Sequence, residues 1–386
     1  MSVRKVCIVI GSRANYGRVK SVMQALADHP AVQLQVIVAA SAMLRRFGSA
    51  IDTIRADGFR PDATIYCSVE GDNPVTMVKS TGLAILELST AFKDLVPDVV
   101  LTVADRYETL ANAIAASYMN IAVAHTQGGE VSGSIDETVR HAVTKLSHIH
   151  FPATVRGEQI LHRLGEDPAK VFRTGCPALD LVSGLDLTLT RDVLEKYGGT
   201  GVGLDLGRPF CLVVQHPITT EYGQGAAQID ETIAAIDALG IQTVWLWPNI
   251  DAGSDDISKR IRIYRELRKP AHVHFYQNFS PEDYLRFLSA ASCIIGNSSS
   301  GLREAALLGT PCINIGTRQN LRERGANVVD VGHEAGAIVG AVRKQIAHGR
   351  YASDDLYGDG TAGRRIAEIL STVPLDVSKR LHYDFL

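Results

Sequence analysis

Short apolar runs alternate with longer amphipathic stretches along almost the whole chain. The runs are largely continuous and are bounded by turn residues; eight of them cover residues 6–10, 34–39, 99–103, 121–125, 210–215, 243–247, 293–295 and 312–315. Runs of this kind are typical of strands that are buried on both faces, as in a parallel sheet covered by helices. We therefore predict a buried strand at each run.

Between these strands, apolar positions recur with the period of a helix. Helices are predicted at residues 18–26, 75–95, 107–116, 136–146, 229–239, 281–290 and 302–308, with one more at 361–370. Ser280 before Pro281 is a clear start signal, because it combines a serine N-cap with proline at the first helical position. The repeated alternation of strand and helix predicts an α/β protein with doubly wound sheets.

Length and glycine content indicate how the domains are arranged. The chain has 386 residues, which favours two domains. A glycine-rich segment at 185–208 separates two strand–helix series and is predicted to be the linker between domains. We expect a first domain over 1–184, a second over 205–350, and a C-terminal helix and tail over 351–386 that pack back on the first domain.

Composition and charge exclude several classes of protein. The 39 basic and 42 acidic residues give a net charge of −3, without the basic excess of a nucleic-acid binder. No apolar run approaches the ~18 residues of a membrane span. The run that starts at Val6 ends in Gly11-Ser12-Arg13 instead of a signal-peptide cleavage site. The six cysteines form no C-x-x-C pair, so buried, reduced thiols in a cytoplasmic protein are expected.

Polar residues follow the predicted strands directly, where open α/β sheets bind their ligands. After the first strand, Arg13 and Arg18 accompany the start of a helix and can meet an anion there. After the third strand, Asp105 and Arg106 can hold a substrate hydroxyl or transfer a proton. A helix-capping aspartate beside a solvated arginine is an equally good interpretation of that pair.

The loop after the fourth strand concentrates acidic residues. Glu130 and Asp136 lie in a glycine-rich stretch, and Ser134 fits the N-cap of the helix that follows. Asp136 would then lie in the first turn, where the helix dipole keeps a carboxylate ionised. Arg140, four residues on, would share its face. Together with Asp105, the two acids form a candidate set for proton transfer; loop geometry alone is the alternative.

In the second half, polar residues again follow strands. His216 follows one strand, Asn249 another, and the serine-rich residues 296–301 follow a third and run into a helix. Hydroxyls and glycine amides in that setting can bind a phosphate or diphosphate, and Glu304 can accept hydrogen bonds from sugar hydroxyls. A serine-rich helix cap is the alternative. With the acids of the first half, this pattern predicts a nucleotide sugar held in the cleft between the domains.

His148 and His150 alternate and so share one face of a predicted strand. A metal pair can have this spacing, but no cysteine or third ligand lies near in sequence. We therefore expect two structural histidines and no metal site.

These residues together resemble the hydrolysing UDP-N-acetylglucosamine 2-epimerases of sialic-acid-type sugar biosynthesis. The resemblance runs from about residue 5 to residue 370 and is most specific at residues 128–136 with Arg140, at 248–253, at 296–304 and at 316–319. The family's non-hydrolysing branch carries a different acid-Ala-Gly-Leu-Arg loop. The motifs therefore favour the hydrolysing branch.

The resemblance implies a GT-B-like fold of two Rossmann-like domains and a two-step reaction on UDP-N-acetylglucosamine. A base removes the C2 proton as UDP leaves C1, which gives a 2-acetamidoglucal. Water then adds with inversion at C2 and releases N-acetylmannosamine. The family needs no cofactor and commonly forms homodimers or homotetramers.

The strand-end pattern and the resemblance together give the candidate site. The candidate catalytic set is Asp105, Glu130, Asp136, Arg13 and His216. The candidate substrate-binding set is Asn15, Arg18, Arg106, Gln127, Asn249, Ser298, Ser299, Gly301, Glu304 and Arg318. The diphosphate would lie against the serines, and Glu304 would meet the ribose.

Three residues depart from the family pattern. Asn15 stands where better-known members have an acid, Gln127 where the animal enzyme has glutamate, and Met43 where a family histidine occurs. Proton transfer would then fall to the three catalytic acids. The departures leave a UDP- or GDP-linked 2,4-diacetamido-trideoxy sugar as an alternative substrate. Two further functions are compatible with the same sequence: a retaining GT-B glycosyltransferase and a non-catalytic nucleotide-sugar sensor.

Overall fold

The computed structural model describes residues 3–44, 49–71, 73–249 and 251–383, which form two compact units. The first unit runs to Glu130, resumes over Ile135–Ser183 and includes the chain from Tyr357 onward. The second unit consists of Val131–Ser134 and Gly184–Leu356. Ile250, within the predicted motif at 248–253, lies outside the described residues.

The first unit is built on a six-stranded sheet with the order β3-β2-β1-β4-β5-β6, and all neighbouring strands are parallel. This is the strand order of a doubly wound Rossmann sheet. Residues of the central strand alternate between two cores: Val6 and Ile8 pack in one, Cys7 and Val9 in the other. Burial on both faces explains the continuous apolar run. The strands are β1 Arg4–Ile10, β2 Val32–Ala39, β3 Ala63–Ile65, β4 Val99–Val103, β5 Ala122–Thr126 and β6 Ile149–Phe151.

Helices cover this sheet, and the last of them comes from the C-terminal part of the chain. They are α1 Arg13–Ala27, α2 Ala50–Ala56, α3 Pro74–Leu95, α4 Tyr107–Tyr118, α5 Asp136–Leu146, α6 Val155–Arg163 and α13 Ala362–Thr372. Asp180 binds the first backbone amides of α13, those of Ala362 at 3.0 Å and Gly363 at 2.6 Å. The helix packs against α1. These contacts place the C-terminal helix in the first unit.

The second unit repeats the same winding. Its sheet has the order β13-β12-β11-β8-β9-β10-β7 and is parallel except for β7, which pairs antiparallel with β10. The strands are β7 Thr200–Gly201, β8 Phe210–Val214, β9 Gln242–Leu246, β10 Val273–Tyr276, β11 Cys293–Gly296, β12 Cys312–Ile315 and β13 Val328–Val331. The helices are α7 Arg191–Tyr197, α8 Gly225–Leu239, α9 Ser254–Ile263, α10 Pro281–Ala290, α11 Glu304–Leu308 and α12 Ala335–His348.

The eight predicted strands are all present, but the sequence pattern missed several further elements, among them β3, β10, α9 and α12. Residues 185–208, predicted as a linker, contain α7 and β7 and lie in the second unit. The helix predicted at 302–308 begins at Glu304, because the preceding residues Ser299–Gly301 form a 3₁₀ turn. A 3₁₀ turn has a tighter hydrogen-bond pattern than an α-helix, so the α-helix starts only after it.

Several sequence expectations concern features outside the sheet edges. Among the described residues, no helix combines the length and apolar character that crossing a bilayer requires. None of the six cysteines, all of which are described, forms a disulfide, and each is buried. His150 Nε2 lies 2.8 Å from Glu166 Oε2, and His148 Nδ1 accepts a hydrogen bond from the Val123 amide at 3.1 Å. Both histidines therefore have protein partners.

Candidate active site

In the first unit, the carboxyl ends of β1 and β4 bring two predicted groups of residues together. Ser12 caps α1 by accepting a hydrogen bond from the Asn15 amide at 3.2 Å. Arg13 is the first residue of that helix, which begins earlier than predicted. Arg18, one turn further on, places Nη1 3.8 Å from Asp105 Oδ1. The strand order thus brings Arg18 from the first predicted group to Asp105 from the second.

Asp105 is buried and forms an ion pair with Arg140. Arg140 Nε lies 3.2 Å from Asp105 Oδ2, and Nη2 donates to the same oxygen. Nη1 donates to the Glu130 carbonyl at 2.9 Å and to the Glu137 carboxylate. Burial lowers the pKa of Arg140, but the carboxylates of Asp105, Glu130 and Glu137 raise it by more. The guanidinium therefore stays charged and holds Asp105 in place.

The neighbouring Arg106 is not solvated, as the alternative interpretation of this pair required. It is buried, and its Nε lies 3.1 Å from Glu108 Oε2. Arg106 itself occupies the N-cap position of α4, and its side chain makes no capping hydrogen bond there. Asp105 therefore does not serve as a helix cap, and its carboxylate is directed to Arg140.

His125 fixes the backbone that leads to Asp105, and sequence analysis missed it. Its Nε2 lies 2.8 Å from the carbonyl oxygen of Ala104, a residue with the left-handed φ of +59°. Burial lowers the pKa of His125 to about 3, so the ring is neutral. Because a carbonyl only accepts hydrogen bonds, Nε2 carries the ring proton. The signal in the sequence was that His125 is the one polar residue in the otherwise apolar run 121–125.

The loop after β5 is shaped by close packing. Gln127 is buried with a φ of +62°, and its Nε2 lies 3.1 Å from Cys176 Sγ. At Gly129, which has a φ of +76°, an added Cβ would lie 2.1 Å from the Gly157 carbonyl oxygen. Loop geometry therefore explains the glycine. It does not explain the next residue, Glu130, which is buried near Arg140.

Helix α5 begins at Asp136, but not with the predicted cap. Its N-cap position is Ile135, which makes no side-chain cap, and Glu137 is the second helical residue. The prediction that Ser134 caps the helix is therefore wrong. The physical reason is that Val131–Ser134 pack as part of the second unit, so α5 begins only after them. Asp136 still lies in the first turn, where the helix dipole favours an ionised carboxylate.

In the second unit, Asn297 joins three loops at the carboxyl edge of the sheet. It exchanges two hydrogen bonds with the His216 backbone: its Oδ1 accepts at 2.8 Å and its Nδ2 donates at 2.9 Å. Its carbonyl oxygen accepts from Arg318 Nη1 at 3.2 Å and Gln319 Nε2 at 2.8 Å. His216 Nδ1 accepts from the Asn249 amide at 3.1 Å, so a neutral ring carries its proton on Nε2. Three predicted site residues are thus gathered around one that sequence analysis did not single out.

Asp251 links two of these residues further. Asn249 Nδ2 donates to Asp251 Oδ2 at 2.5 Å, and Arg318 Nη2 lies 3.8 Å from the same oxygen. Asp251 is itself buried. The Arg318 guanidinium therefore has a fixed place beside the end of β11, and guanidinium groups are well suited to bind phosphate oxygens.

The serine loop, residues 296–301, is a tight structure with little room for larger residues. Ser298 caps its 3₁₀ turn by accepting from the Ser300 amide at 3.4 Å. At Gly296, φ is +135° and an added Cβ would lie 2.1 Å from the Val214 carbonyl. At Gly301, an added Cβ would lie 2.5 Å from Cys312 Sγ. Ser298 and Ser299 are partly exposed, so the loop presents hydroxyl groups from a rigid backbone.

Glu304 is the first residue of α11. Its Oε2 is shielded from solvent and has no hydrogen-bond partner within the part of the chain that the structure describes. A buried carboxylate oxygen without a donor is costly unless a donor is supplied. A ligand hydroxyl would supply one.

Comparison with known proteins identifies the family. The sequence profile described as UDP-N-acetylglucosamine 2-epimerase matches residues 24–371. The chain belongs to the UDP-N-acetylglucosamine 2-epimerase family. The family resemblance that the motifs carry is therefore confirmed, and the protein is an enzyme of this epimerase family.

Two relatives and one solved structure are similar over nearly all of this epimerase. A UDP-N,N′-diacetylbacillosamine 2-epimerase (hydrolyzing) from Legionella pneumophila is 36% identical over 377 residues, 97% of each chain. A UDP-N-acetylglucosamine 2-epimerase from Neisseria meningitidis serogroup B is 27% identical over 372 residues, 96% of this chain and 95% of the relative. The structure of the Methanocaldococcus jannaschii UDP-GlcNAc 2-epimerase, solved in complex with UDP-GlcNAc and UDP, is similar to this chain with a TM-score of 0.78 and 18% sequence identity. The similarity covers 95% of this chain and 99% of the other chain. The last comparison confirms the GT-B-like α/β fold with two Rossmann-like units.

Proposed function

We propose that this epimerase hydrolyses a UDP-linked 2,4-diacetamido-2,4,6-trideoxy sugar with inversion at C2. The observation that carries the proposal is the 36% identity, over 97% of the chain, to a relative named for hydrolysing UDP-N,N′-diacetylbacillosamine. UDP-N-acetylglucosamine, for which the 27% identical relative is named, is the second candidate substrate. The departures at Asn15 and Gln127 also favour a sugar other than N-acetylglucosamine.

The proposed reaction is an elimination followed by a hydration. A carboxylate takes the proton from C2 while the bond from C1 to the UDP oxygen breaks, which leaves a 2-acetamidoglycal with a double bond between C1 and C2. Water then gives its hydroxyl to C1, and a proton reaches C2 from the opposite face. The free C2 epimer and UDP are released. The sugar undergoes no net oxidation, so no nicotinamide is needed.

The first unit supplies the proton transfer in this scheme. Asp105, Glu130 and Asp136 are the proposed acid and base groups, and Arg13 adds positive charge at the start of α1. Arg140 and Arg18 both face Asp105, which supports its role as an ionised group able to accept a proton. The buried Arg140 links the set, because it binds Asp105 and the Glu130 carbonyl together.

The second unit holds the nucleotide in this scheme. The diphosphate lies against the serine loop, where the Arg318 guanidinium and the Nε2 proton of His216 neutralise the charge that develops on the leaving UDP. Glu304 accepts hydrogen bonds from the ribose, which would satisfy its otherwise unpartnered oxygen among the described residues. Asn249 and Asp251 keep Arg318 in place.

We further propose that the protein acts in the cytoplasm as a homodimer or homotetramer. Helix α3 carries an exposed apolar stripe at helical spacing: Val75, Val78, Leu83 and Leu86 have exposed fractions of 61%, 69%, 40% and 65%. Contiguous exposed apolar residues are typical of a surface that a partner covers. A second copy of the chain is the proposed partner.

Incubation in D₂O tests the function. UDP-N,N′-diacetylbacillosamine, UDP-N-acetylglucosamine and their GDP counterparts are each added, and products are identified by NMR. We expect UDP release with deuterium at C2 of the free epimer, and the highest kcat/KM with the diacetamido sugar. Sugar transfer to an acceptor without deuterium would instead indicate a glycosyltransferase. Thermal stabilisation by the UDP-sugar without UDP release would indicate a sensor.

A further inference from the structure

Helix α10 brings a tyrosine hydroxyl to the serine loop. The hydroxyl of Tyr284 is hydrogen-bonded to Ser300 Oγ, and Ser300 Oγ lies 2.9 Å from Ser298 Oγ. The Tyr284 ring packs against the apolar core on one face of the second sheet, Ser300 is buried, and Ser298 is partly exposed. The three hydroxyls therefore form a hydrogen-bonded chain that runs from the core to the accessible side of the loop.

The direction of this chain follows from counting protons. A hydroxyl donates one hydrogen bond and can accept two. If Tyr284 donates to Ser300 and Ser300 donates to Ser298, the Ser298 hydroxyl proton is the one that the chain does not use. It lies at the accessible end of the loop. In the opposite direction, Ser298 would donate to Ser300 and Ser300 to Tyr284, which would leave no hydroxyl proton at the accessible end of the loop and would require a separate acceptor for the phenol proton in a partly buried place. The direction from Tyr284 to Ser298 is therefore favoured.

Two further observations support this direction of hydrogen bonding. Burial raises the pKa of Tyr284, so the phenol keeps its proton at neutral pH and remains a donor. Ser298 Oγ also accepts from the Ser300 amide at 3.4 Å. With both of its acceptor positions directed at the loop, the Ser298 hydroxyl has its proton directed away from the loop.

We infer that Tyr284 is a positioning residue that, through Ser300, fixes the Ser298 hydroxyl as a donor to an oxygen of the substrate's diphosphate. The inference rests on the proposed function, in which the serine loop binds the diphosphate. Phosphate oxygens only accept hydrogen bonds, so a hydroxyl that is already oriented as a donor binds them without reorganising. Tyr284 itself need not touch the substrate.

The first test compares UDP with uridine in Tyr284→Phe, which removes one oxygen and keeps the ring. By isothermal titration calorimetry, we expect the Kd for UDP to rise about fivefold to tenfold, as for loss of one net hydrogen bond. The Kd for uridine, which has no phosphate, stays unchanged, and KM for the nucleotide sugar rises more than kcat falls. Tyr264→Phe is the matched control, because its hydroxyl binds Asp237 and its ring packs on the opposite face of the same sheet.

A double-mutant cycle then asks whether Tyr284 acts through the loop. The UDP Kd is measured for Ser298→Ala, for Tyr284→Phe and for the double variant. If Tyr284 acts through Ser298, the double variant binds UDP no more weakly than Ser298→Ala alone. Independent structural roles would give losses that add.

The outcomes separate this inference from the proposed function. A wild-type protein that does not bind UDP contradicts the function itself. A wild-type protein that binds UDP, with unchanged affinity in Tyr284→Phe or additive losses in the cycle, contradicts only the role of Tyr284. If thermal melting shows that Tyr284→Phe does not fold, Ser300→Ala breaks the same chain at its middle. That variant must weaken UDP binding and leave uridine binding intact, or the inference is wrong.

Discussion

Two nitrogens of the Arg140 guanidinium donate to a single carboxylate oxygen of Asp105, and both residues are buried. The other oxygen of Asp105 lies 3.8 Å from Arg18 Nη1. One oxygen of the carboxylate is thus anchored by a buried cation, and the other oxygen lies near a second arginine. A carboxylate held in place in this way is the proposed acceptor of the C2 proton.

Replacing Asp105 by asparagine tests this arrangement. We expect Asp105→Asn to lower kcat about a hundredfold or more, because an amide cannot accept the C2 proton. The measurement is UDP release under saturating substrate, with thermal melting to confirm folding. Asp230→Asn is the control, because it breaks a half-exposed ion pair with Arg260 in the second unit. Turnover of Asp105→Asn close to that of the control would exclude Asp105 from the proton path.

Asp136 provides an independent test of the same step. It lies in the first turn of α5 and is partly buried. We expect Asp136→Asn to reduce kcat about a hundredfold or more, with the loss seen in C2 deuterium exchange as well as in UDP release. Asp52→Asn is matched to it, since Asp52 is an exposed acid in the first turn of α2. If both variants keep wild-type exchange, Asp136 serves only the helix.

Glu304 should affect binding more than chemistry. We expect Glu304→Ala to raise the Kd for UDP about tenfold to a hundredfold, as for loss of hydrogen bonds to a charged group. Wild-type protein should also prefer UDP to 2′-deoxyuridine diphosphate, and the variant should lose that preference. Asp256→Ala removes an exposed carboxylate from the first turn of α9 and should change neither value. An unchanged UDP affinity in Glu304→Ala would refute the ribose contact.

The parts of the fold that were predicted are those in which local sequence and burial agree. Strands buried on both faces, such as β4 with five buried residues, read as continuous apolar runs. β10 contains His274, whose side chain binds the Val202 and Gly198 carbonyls, so its apolar run is interrupted. α9 buries only Ser254, Ile257 and Ile261 among charged neighbours. These elements are defined by tertiary contacts and carry a weak local signal.

The candidate site was also predicted only in part from the sequence. The residues that follow strands could be found from sequence, because parallel strands bring their carboxyl ends to one edge. Their partners could not. Arg140 is 35 positions from Asp105, and Asn297 is 81 positions from His216, so each pairing depends on strand order and register. Tyr284 reaches Ser300 from a helix whose sequence indicates only an amphipathic face.

The exposed stripe of α3 yields a prediction about assembly. We expect Leu86→Glu to shift the protein from a dimer or tetramer to a monomer in sedimentation velocity, because a charge in an apolar contact loses its hydration. Leu267→Glu is the control, as Leu267 is 79% exposed in the second unit, outside this stripe. A wild-type protein that sediments as a monomer, or a Leu86→Glu variant that keeps the wild-type assembly, would contradict the proposed interface.

Glu166 and the C-terminal segment give the final prediction, which concerns stability. Glu166 is buried, and its carboxylate binds His150 Nε2 at 2.8 Å, Lys145 Nζ at 2.9 Å and Lys379 Nζ at 2.5 Å. Lys379 also donates to the carbonyl oxygens of Thr144 and Ser147 at the end of α5. One buried acid therefore ties the C-terminal segment to the helix that begins with Asp136.

The pH dependence of this cluster follows from the sign of one shift. Burial raises the pKa of Glu166, but the hydrogen bond with His150 and the charge and hydrogen bond of Lys379 lower it by more, so that it falls from an ordinary value of 4.5 to about 2. Burial also lowers the pKa of His150, so its ring acts here as a neutral hydrogen-bond partner and Lys379 supplies the charge. A lowered folded-state pKa adds stability that is fully present above pH 4.5 and is lost as the pH falls toward 2. Glu166→Gln should therefore cost about 3–5 kcal/mol at pH 7. We expect the difference in free energy of unfolding between the variant and the wild type, measured by urea unfolding, to narrow by about 1.4 kcal/mol per pH unit below the ordinary pKa of glutamate. Glu158→Gln is the control, because it breaks a more exposed ion pair with Arg173, and it should show neither effect. If the free energy difference between Glu166→Gln and the wild type does not change with pH, the lowered pKa of Glu166 is contradicted.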